Sequence, residues 1–431
     1  MGRSLIALTV AFLCLLAAAG CGGGGESGED GGSGTVQFLV FGEPEELRAY
    51  RDIITAFREA EPSIDVQLVE ASDRSDLIAR LSTSIAGGNP PDVFLLNYRF
   101  YGQFAAKGAL EPIAERFEAS EAFEAEDFYE EALEAFRWEG EQMCIPQNIS
   151  SLVVYYNRSM FRDQGVSEPE PGWQWRDMVE KAKALTRDED GDGQIDVYGL
   201  GVEASVIRLA PFVWSNGGEI VDDLESPTRF TLDEVNATDA MAEFFALRRV
   251  HGVIPSEEEL ESEDDESRFL NGRSAMVLSS RRSTPVFRTI TDFDWDIAPL
   301  PILKQPAGIL HSDAYCMTAG SENKDAAWRF TEFALGPEGQ RIAAGTGRTV
   351  PSLKAVANSD AFLGSDAKPA SSRIFLDTIP QIRRVPNIST WPEIEDATAG
   401  IFEVAMYDDL PPQLIAQQVD EATRDLFARA E

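Results

Sequence analysis

Val36-Gln37-Phe38-Leu39-Val40-Phe41 opens the folded part of this chain and decides how the rest is read. A run this rich in β-branched and aromatic side chains fits a strand. Apolar Leu47, Tyr50, Ile53, Ile54 and Phe57 follow at helical spacing until Pro62 ends the helix. Ile64-Asp65-Val66-Gln67-Leu68-Val69 is a second strand. Leu77, Ile78, Leu81 and Ile85 mark a second helix, stopped by Gly87-Gly88-Asn89-Pro90-Pro91. Asp92-Val93-Phe94-Leu95-Leu96 is almost continuously apolar, as a strand covered on both faces requires. Strand, helix, strand, helix, strand in this order predicts a parallel sheet with crossover helices, hence an α/β fold. Ligands of such sheets bind beyond the carboxyl ends of the strands, which points to Phe41-Gly42-Glu43, Ser72-Asp73 and Asn97-Tyr98.

A second block repeats the style. Ser151-Leu152-Val153-Val154-Tyr155-Tyr156 reads as a strand, Trp175, Met178, Val179, Ala182 and Leu185 as a helix, and Ala275-Met276-Val277-Leu278 as a later strand. Ala326, Trp328, Phe330, Phe333 and Ala334 carry a further helix, and residues 414–427 form a closing amphipathic one. The roughly 400 residues after the leader exceed one ordinary core, so two domains are expected.

The leader has its own logic. Arg3 and an apolar run over residues 5–19 precede Cys21, ending Leu16-Ala17-Ala18-Ala19-Gly20-Cys21, the layout of a bacterial secretory signal closed by a lipobox. The run is shorter than the ~20 residues of a membrane span. Residues 1–20 are therefore expected to leave and Cys21 to carry lipid. The Gly-rich residues 21–34 are expected to act as a disordered tether of roughly 20 Å. The expected location is extracytoplasmic, anchored to the cell membrane.

Lys and Arg total 37 against 74 Asp and Glu, a net charge of -37. Such a surface repels nucleic acid and anionic headgroups, which excludes both as partners. Once Cys14 has left and Cys21 is lipidated, Cys144 and Cys316 remain. The compartment permits a disulfide between them, with two buried thiols as the alternative. Only His251 and His311 exist, and no GxSxG, P-loop or HExxH pattern appears, so no enzyme activity is expected. A glycoside-hydrolase carboxylate pair is the rival in kind, though no segment isolates one. Asp188, Asp190, Asp192, Gln194 and Asp196 stand at liganding positions of a calcium loop with Gly193 at its turn, but Gly199 replaces the closing glutamate. A structural calcium ion is the one cofactor expected; the alternative is an acidic turn.

Further markers run in one order along the chain. They are Gly88-Asn89-Pro90-Pro91-Asp92-Val93, Ile145-Pro146 before Tyr155-Tyr156-Asn157, and Trp175 leading to Ala184-Leu185-Thr186. Phe269-Leu270-Asn271-Gly272-Arg273-Ser274-Ala275-Met276, Lys324-Asp325-Ala326-Ala327 and Pro337-Glu338-Gly339-Gln340 follow. From residue 36 onward the chain resembles the sugar-type extracellular solute-binding proteins of ABC importers, the group that includes maltose-binding protein. The resemblance implies a two-lobed, type II periplasmic-binding-protein-like fold, each lobe a mainly parallel sheet flanked by helices and joined by hinge strands. It places residues 35–148 and 315–368 in one lobe and 149–314 and 369–431 in the other. Cys144 and Cys316 would then lie on neighbouring strands near the hinge.

A sugar site needs aromatic platforms with carboxylate, amide and guanidinium groups at the rim. Trp214, in a loop-like segment with Asn216, and Trp391 are the expected platforms, with Tyr98 or Tyr101 beside them. Glu43, Asp73, Asn97, Gln147 and Asn148 are expected at strand ends and hinge entrance. Ser280, Arg281, His311, Asp313, Tyr315 and Arg348 complete the expected set. The implied function is capture of a mono- or oligosaccharide by a monomer and delivery to permease subunits. A polyol phosphate such as glycerol phosphate is the alternative ligand, given Arg281 and Arg348. Tyr155-Tyr156 also admits a ferric-ion binder.

Overall fold

The computed structural model describes residues 34–364 and 367–430. The signal segment, Cys21 and the tether up to residue 33 lie outside the described residues. Strand β1 (Gly34–Val40), helix α1 (Pro44–Ala60), β2 (Ile64–Glu70), α2 (Arg74–Ala86) and β3 (Val93–Asn97) follow one another as the sequence predicts. Helix α3 (Tyr98–Ala105) starts directly at the end of β3, with Asn97 accepting a hydrogen bond from the Arg99 N–H as its cap. Strand β4 (Cys144–Pro146) leads to β5 (Val153–Asn157), then come α4 (Trp175–Leu185), α5 (Val206–Ser215) and α6 (Val235–Arg249). Strands β6 (Met276–Ser279), β7 (Trp295–Ala298) and β8 (Asp313–Met317) precede the closing helices α7 (Trp391–Tyr407) and α8 (Pro412–Ala428).

Two sheets result. The first has the order β2-β1-β3-β8-β4, with β1 parallel to both β2 and β3 and β8 antiparallel to β3 and β4. The second is β6-β5-β7, antiparallel throughout. Its antiparallel pairing differs from the mainly parallel second lobe expected. Here β6 and β7 both return beside β5 from later in the chain. The first sheet is covered by α1 and the later helix Lys324–Leu335. Phe38, Tyr50, Tyr315 and Phe330 interlock between them, with ring centroids 4.7–5.6 Å from Phe38. The second sheet buries Tyr155, Phe269, Phe287 and Trp295 against one another. Helices α5, α6, α7 and α8 pack as a further layer, and α7 reaches across to α3.

The chain passes between the sheets at residues 147–152 and 308–312, side by side. Ser150 N–H donates to the His311 carbonyl at 2.9 Å and His311 N–H donates back at 2.8 Å. Ile309 N–H donates to Ser151 Oγ at 2.9 Å. Gly308 leaves room for this bond, because an added Cβ would lie 2.6 Å from Ser151 Oγ and displace it. One end of this ladder is covalent: Cys144 and Cys316 face each other across β4 and β8 and form a disulfide, Cα–Cα 4.5 Å. Among the described residues no helix is long and apolar enough to cross a membrane.

The disulfide closes a loop of 172 residues. Chain entropy alone gives such a loop about 5 kcal/mol, and measured bridges deliver about 2–4 kcal/mol. Denatured, unreduced protein is expected to leave both cysteines unlabelled by a thiol reagent. Replacing both by serine should lower the unfolding free energy by about 2–4 kcal/mol in a urea titration. Labelling of either cysteine without reductant contradicts the bridge.

Candidate functional site

A cleft of about 590 Å³ lies beside the crossing ladder. Four helices of eight residues or more begin at it. The first turn of α1 brings Glu43 and Glu46, α2 brings Asp73 and Arg74, α3 brings Asn97 and Arg99, and α5 brings Ser205 to Arg208. Free N–H groups and the helix dipole make such ends attractive to oxygen ligands. Ser280, Arg282, His311, Asp313, Arg348 and the Glu395 and Asp396 pair from α7 complete the wall.

At the floor, Asp313 stands opposite Asn97 in the β8–β3 register. Its carboxylate accepts from the Asn97 side-chain amide at 3.0 Å and from that of Asn148 at 3.3 Å. The Asn148 side-chain oxygen in turn accepts from the Asp313 N–H at 3.2 Å. Each member is thereby oriented before any ligand arrives. On one flank Arg348 pairs with buried Glu46 at 2.5 Å. Gly42 makes room for this pair, since a Cβ there would sit 2.6 Å from the Glu46 carboxylate. On another flank Arg99 pairs with Glu395, whose second oxygen accepts from Trp391 Nε1 at 2.7 Å. Burial depresses the proton affinity of His311, and the guanidiniums of Arg208, Arg99, Arg282 and Arg74 push it further down, so its ring is neutral. Its Nε2 has no partner among the described residues.

Glu43, Asp73, Asn97, Asn148, Ser280, His311, Asp313 and Arg348 are thus brought together in the cleft. Asp73 also caps α2, accepting from the Asp76 N–H at 2.9 Å. The other expected residues sit elsewhere. Trp214 is in the helix α5, not a loop, is 1% exposed, and has Arg383 stacked 4.8 Å from its ring centroid. Trp391 is wholly buried at the start of α7, where it holds Glu395 instead of a ligand. Covering a ring of this size contributes about 4 kcal/mol to folding. Asn216 ends α5 and donates to the Asn236 carbonyl at 2.7 Å. Tyr98 and Tyr101 are inward-facing on α3: the Tyr98 hydroxyl accepts from the Val385 N–H, and Tyr101 packs on Phe136 and Trp138. Tyr315, two residues in from the cleft end of β8, belongs to the core of the first sheet. Gln147 is buried in the crossing and does not line the cleft.

Arg281 is likewise a correction. It is 1% exposed, sandwiched between Phe362 and Phe375 at 4.8 and 5.2 Å, and burial lowers its pKa to about 9. Its neighbour Arg282 is the one that lines the cleft. Sequence reasoning missed Arg74, Arg99 and Arg208. The first two adjoin strand ends already singled out, and Arg208 is the single charge in an otherwise apolar run, Val206-Ile207-Arg208-Leu209-Ala210.

Of the expected calcium ligands, Asp188, Asp190 and Asp196 bring oxygens within 4.8 Å of one another. Asp188 accepts from the Gly191 and Gly193 N–H groups, and Asp196 from that of Glu189. Asp192 caps Gln194 outside this cluster. Gly199 cannot become the missing glutamate, since a Cβ there would lie 2.0 Å from the Ala182 carbonyl.

Over 416 residues the chain is 21% identical to a maltooligosaccharide ABC transporter solute-binding lipoprotein of Streptococcus pneumoniae, covering 93% of this chain and 91% of that one. It is 25% identical over 316 residues to a maltotriose-binding protein of Pyrococcus abyssi, covering 71% and 64%. The ABC substrate-binding protein Lmo0181 of Listeria monocytogenes, solved with cycloalternan, superposes with a TM-score of 0.83 at 24% identity, covering 91% of this chain and 99% of that one. This likeness confirms the two-lobed type II binding-protein fold. The family model for bacterial extracellular solute-binding proteins matches residues 52–370. The chain therefore belongs to the bacterial extracellular solute-binding protein family.

Proposed function

We propose that this protein captures a saccharide between its two lobes outside the cytoplasmic membrane and delivers it to the transmembrane subunits of an ABC importer. The observation that carries the reading is the Asn97, Asp313 and Asn148 cluster. Amides and a carboxylate, pre-oriented by each other at strand ends and still lining a cleft, suit hydroxyls that both donate and accept. The relatives named for maltotriose and maltooligosaccharide support a carbohydrate. The paired crossings at residues 147–152 and 308–312 suit closure of two lobes by a small hinge rotation.

The rival ligands fare less well. No relative named above is a polyol-phosphate binder. Ferric binding needs open tyrosine oxygens, whereas the Tyr155 hydroxyl is held by the Ser280 carbonyl and Thr284, and that of Tyr156 by Glu168. A lipid anchor at Cys21 is part of the proposal, supported by the lipobox and by the lipoprotein name of the pneumococcal relative. A calcium ion at Asp188, Asp190 and Asp196 is a separable part, supported by the convergence of three carboxylates.

A thermal-shift screen over oligosaccharides, polyol phosphates and amino acids should raise the melting temperature with a saccharide, which is recovered uncleaved. A shift with amino acids alone would remove the reading. Asp313→Ala should weaken saccharide binding about 10- to 100-fold, the loss expected for hydrogen bonds to a charged group; unchanged affinity would take Asp313 out of the site. Cys21→Ser should release the protein from the membrane fraction, and retention there would contradict the anchor. Calcium should raise the melting temperature above that in chelator, and identical values would assign the acidic loop to backbone capping alone.

A further inference from the structure

We infer that the solute is an acidic saccharide, whose carboxylate, sulfate or phosphate is held by Arg208 and Arg74 where α5 and α2 begin. The inference rests on the saccharide reading and narrows it to a ligand class.

Arg208 is 5% exposed and lines the cleft. Its Nη2 meets a carboxylate oxygen of Glu203 at 3.3 Å, but Nε and Nη1 are buried with no partner. A guanidinium so short of acceptors is costly to keep out of water, and an anion supplies both charge and lone pairs. Arg74 makes no ion pair among the described residues. Its guanidinium lies between the rings of Phe41 and Phe100, 5.5 and 5.3 Å from their centroids, and its Nε is also unpartnered. Besides the His311 imidazole, those two rings are the only aromatic ones lining the cleft among the described residues, and both face an arginine. Among the described residues no tryptophan or tyrosine lines the cleft to stack on a neutral pyranose.

The cleft's carboxylates do not cancel this charge. Glu46 and Glu395 are already matched to Arg348 and Arg99, and Asp313 to two amides. Glu43, Asp73, Glu203 and Asp396 are exposed. Around His311 the strongest charge influences all come from arginines, namely Arg208, Arg99, Arg282 and Arg74. The starts of α2 and α5 add partial positive charge on the same side. A neutral sugar would fill the space and leave the charge unanswered.

The test is titration calorimetry on the full chain with trigalacturonate and its fully methyl-esterified form, which share one sugar backbone and differ in whether the carboxyl groups are charged. The free acid should bind at least about tenfold tighter, with the gap shrinking as salt is raised. Arg208→Gln should close most of that gap, lowering the affinity for the free acid about tenfold more than that for the ester. The same panel includes sulfated and phosphorylated sugars. If one of these binds tightest and loses its advantage in R208Q, the anion site stands and its source is an ester group. An ester or maltotriose that binds as tightly as every charged sugar overturns the inference and leaves the saccharide reading intact. Absence of binding by any sugar overturns both. If R208Q fails to fold, Arg74→Gln and the salt dependence of the unsubstituted protein decide the matter.

Discussion

Two hydrogen bonds exchanged between Ser150 and His311 hold the two chain crossings together, and the rest of the molecule is arranged around that exchange. They extend the antiparallel pairing of β4 and β8, one residue out of step with it, out of the first sheet and toward the second. Because Ser150 and His311 sit opposite each other, the His311 ring enters the cleft and Asp313 falls two residues further on, facing Asn97. The cleft floor is therefore a by-product of strand register. A peptide ladder this short bends without losing its bonds, which is what a hinge requires.

The second theme is charge sorted by place. The chain as a whole carries -37, yet five arginines line one cleft. Acidic residues scattered over a surface are screened within about 10 Å by salt. The arginines inside are screened far less, so each needs a local answer. Arg348 and Arg99 find it in Glu46 and Glu395, and Arg282 finds it outside the cleft in Glu266. Arg208 finds only a partial one, a single contact with the exposed Glu203 that leaves its Nε and Nη1 unpartnered, and Arg74 forms no ion pair among the described residues.

Much of the first sheet was legible in the sequence because its strands are apolar runs separated by proline and glycine. The rule that ligands bind beyond strand ends placed Glu43, Asp73 and Asn97 at the cleft. Aromatic residues were misread for a physical reason. Trp214 lies between Pro211 and Gly217, which suggested a loop, but α5 accepts Pro211 within its run; Trp391, with no helical stripe before it, opens α7 with Pro392 in its first turn. Whether a tryptophan faces core or cleft is set by what packs on it, here Arg383 and Phe230, and neither is near it in sequence. The same holds for Arg281 and Arg282. The two open a 3-10 turn after β6, in which neighbouring side chains diverge by about 120°, so naming the wrong one of the pair is a one-residue error that exchanges a cleft residue for a buried one. The antiparallel second sheet was likewise hidden, since β6 and β7 return to β5 from more than 100 residues away.

The covalent link between Cys144 and Cys316 has one more effect. Antiparallel strands paired one residue out of step turn every side chain to the opposite face. Cys144 and Cys316 are directly opposed, so the bond is compatible with one alignment only. It works as an index pin: Tyr315 stays opposite Ile145 and Ala314 opposite Pro146, which fixes the face of β8 on which Asp313 falls.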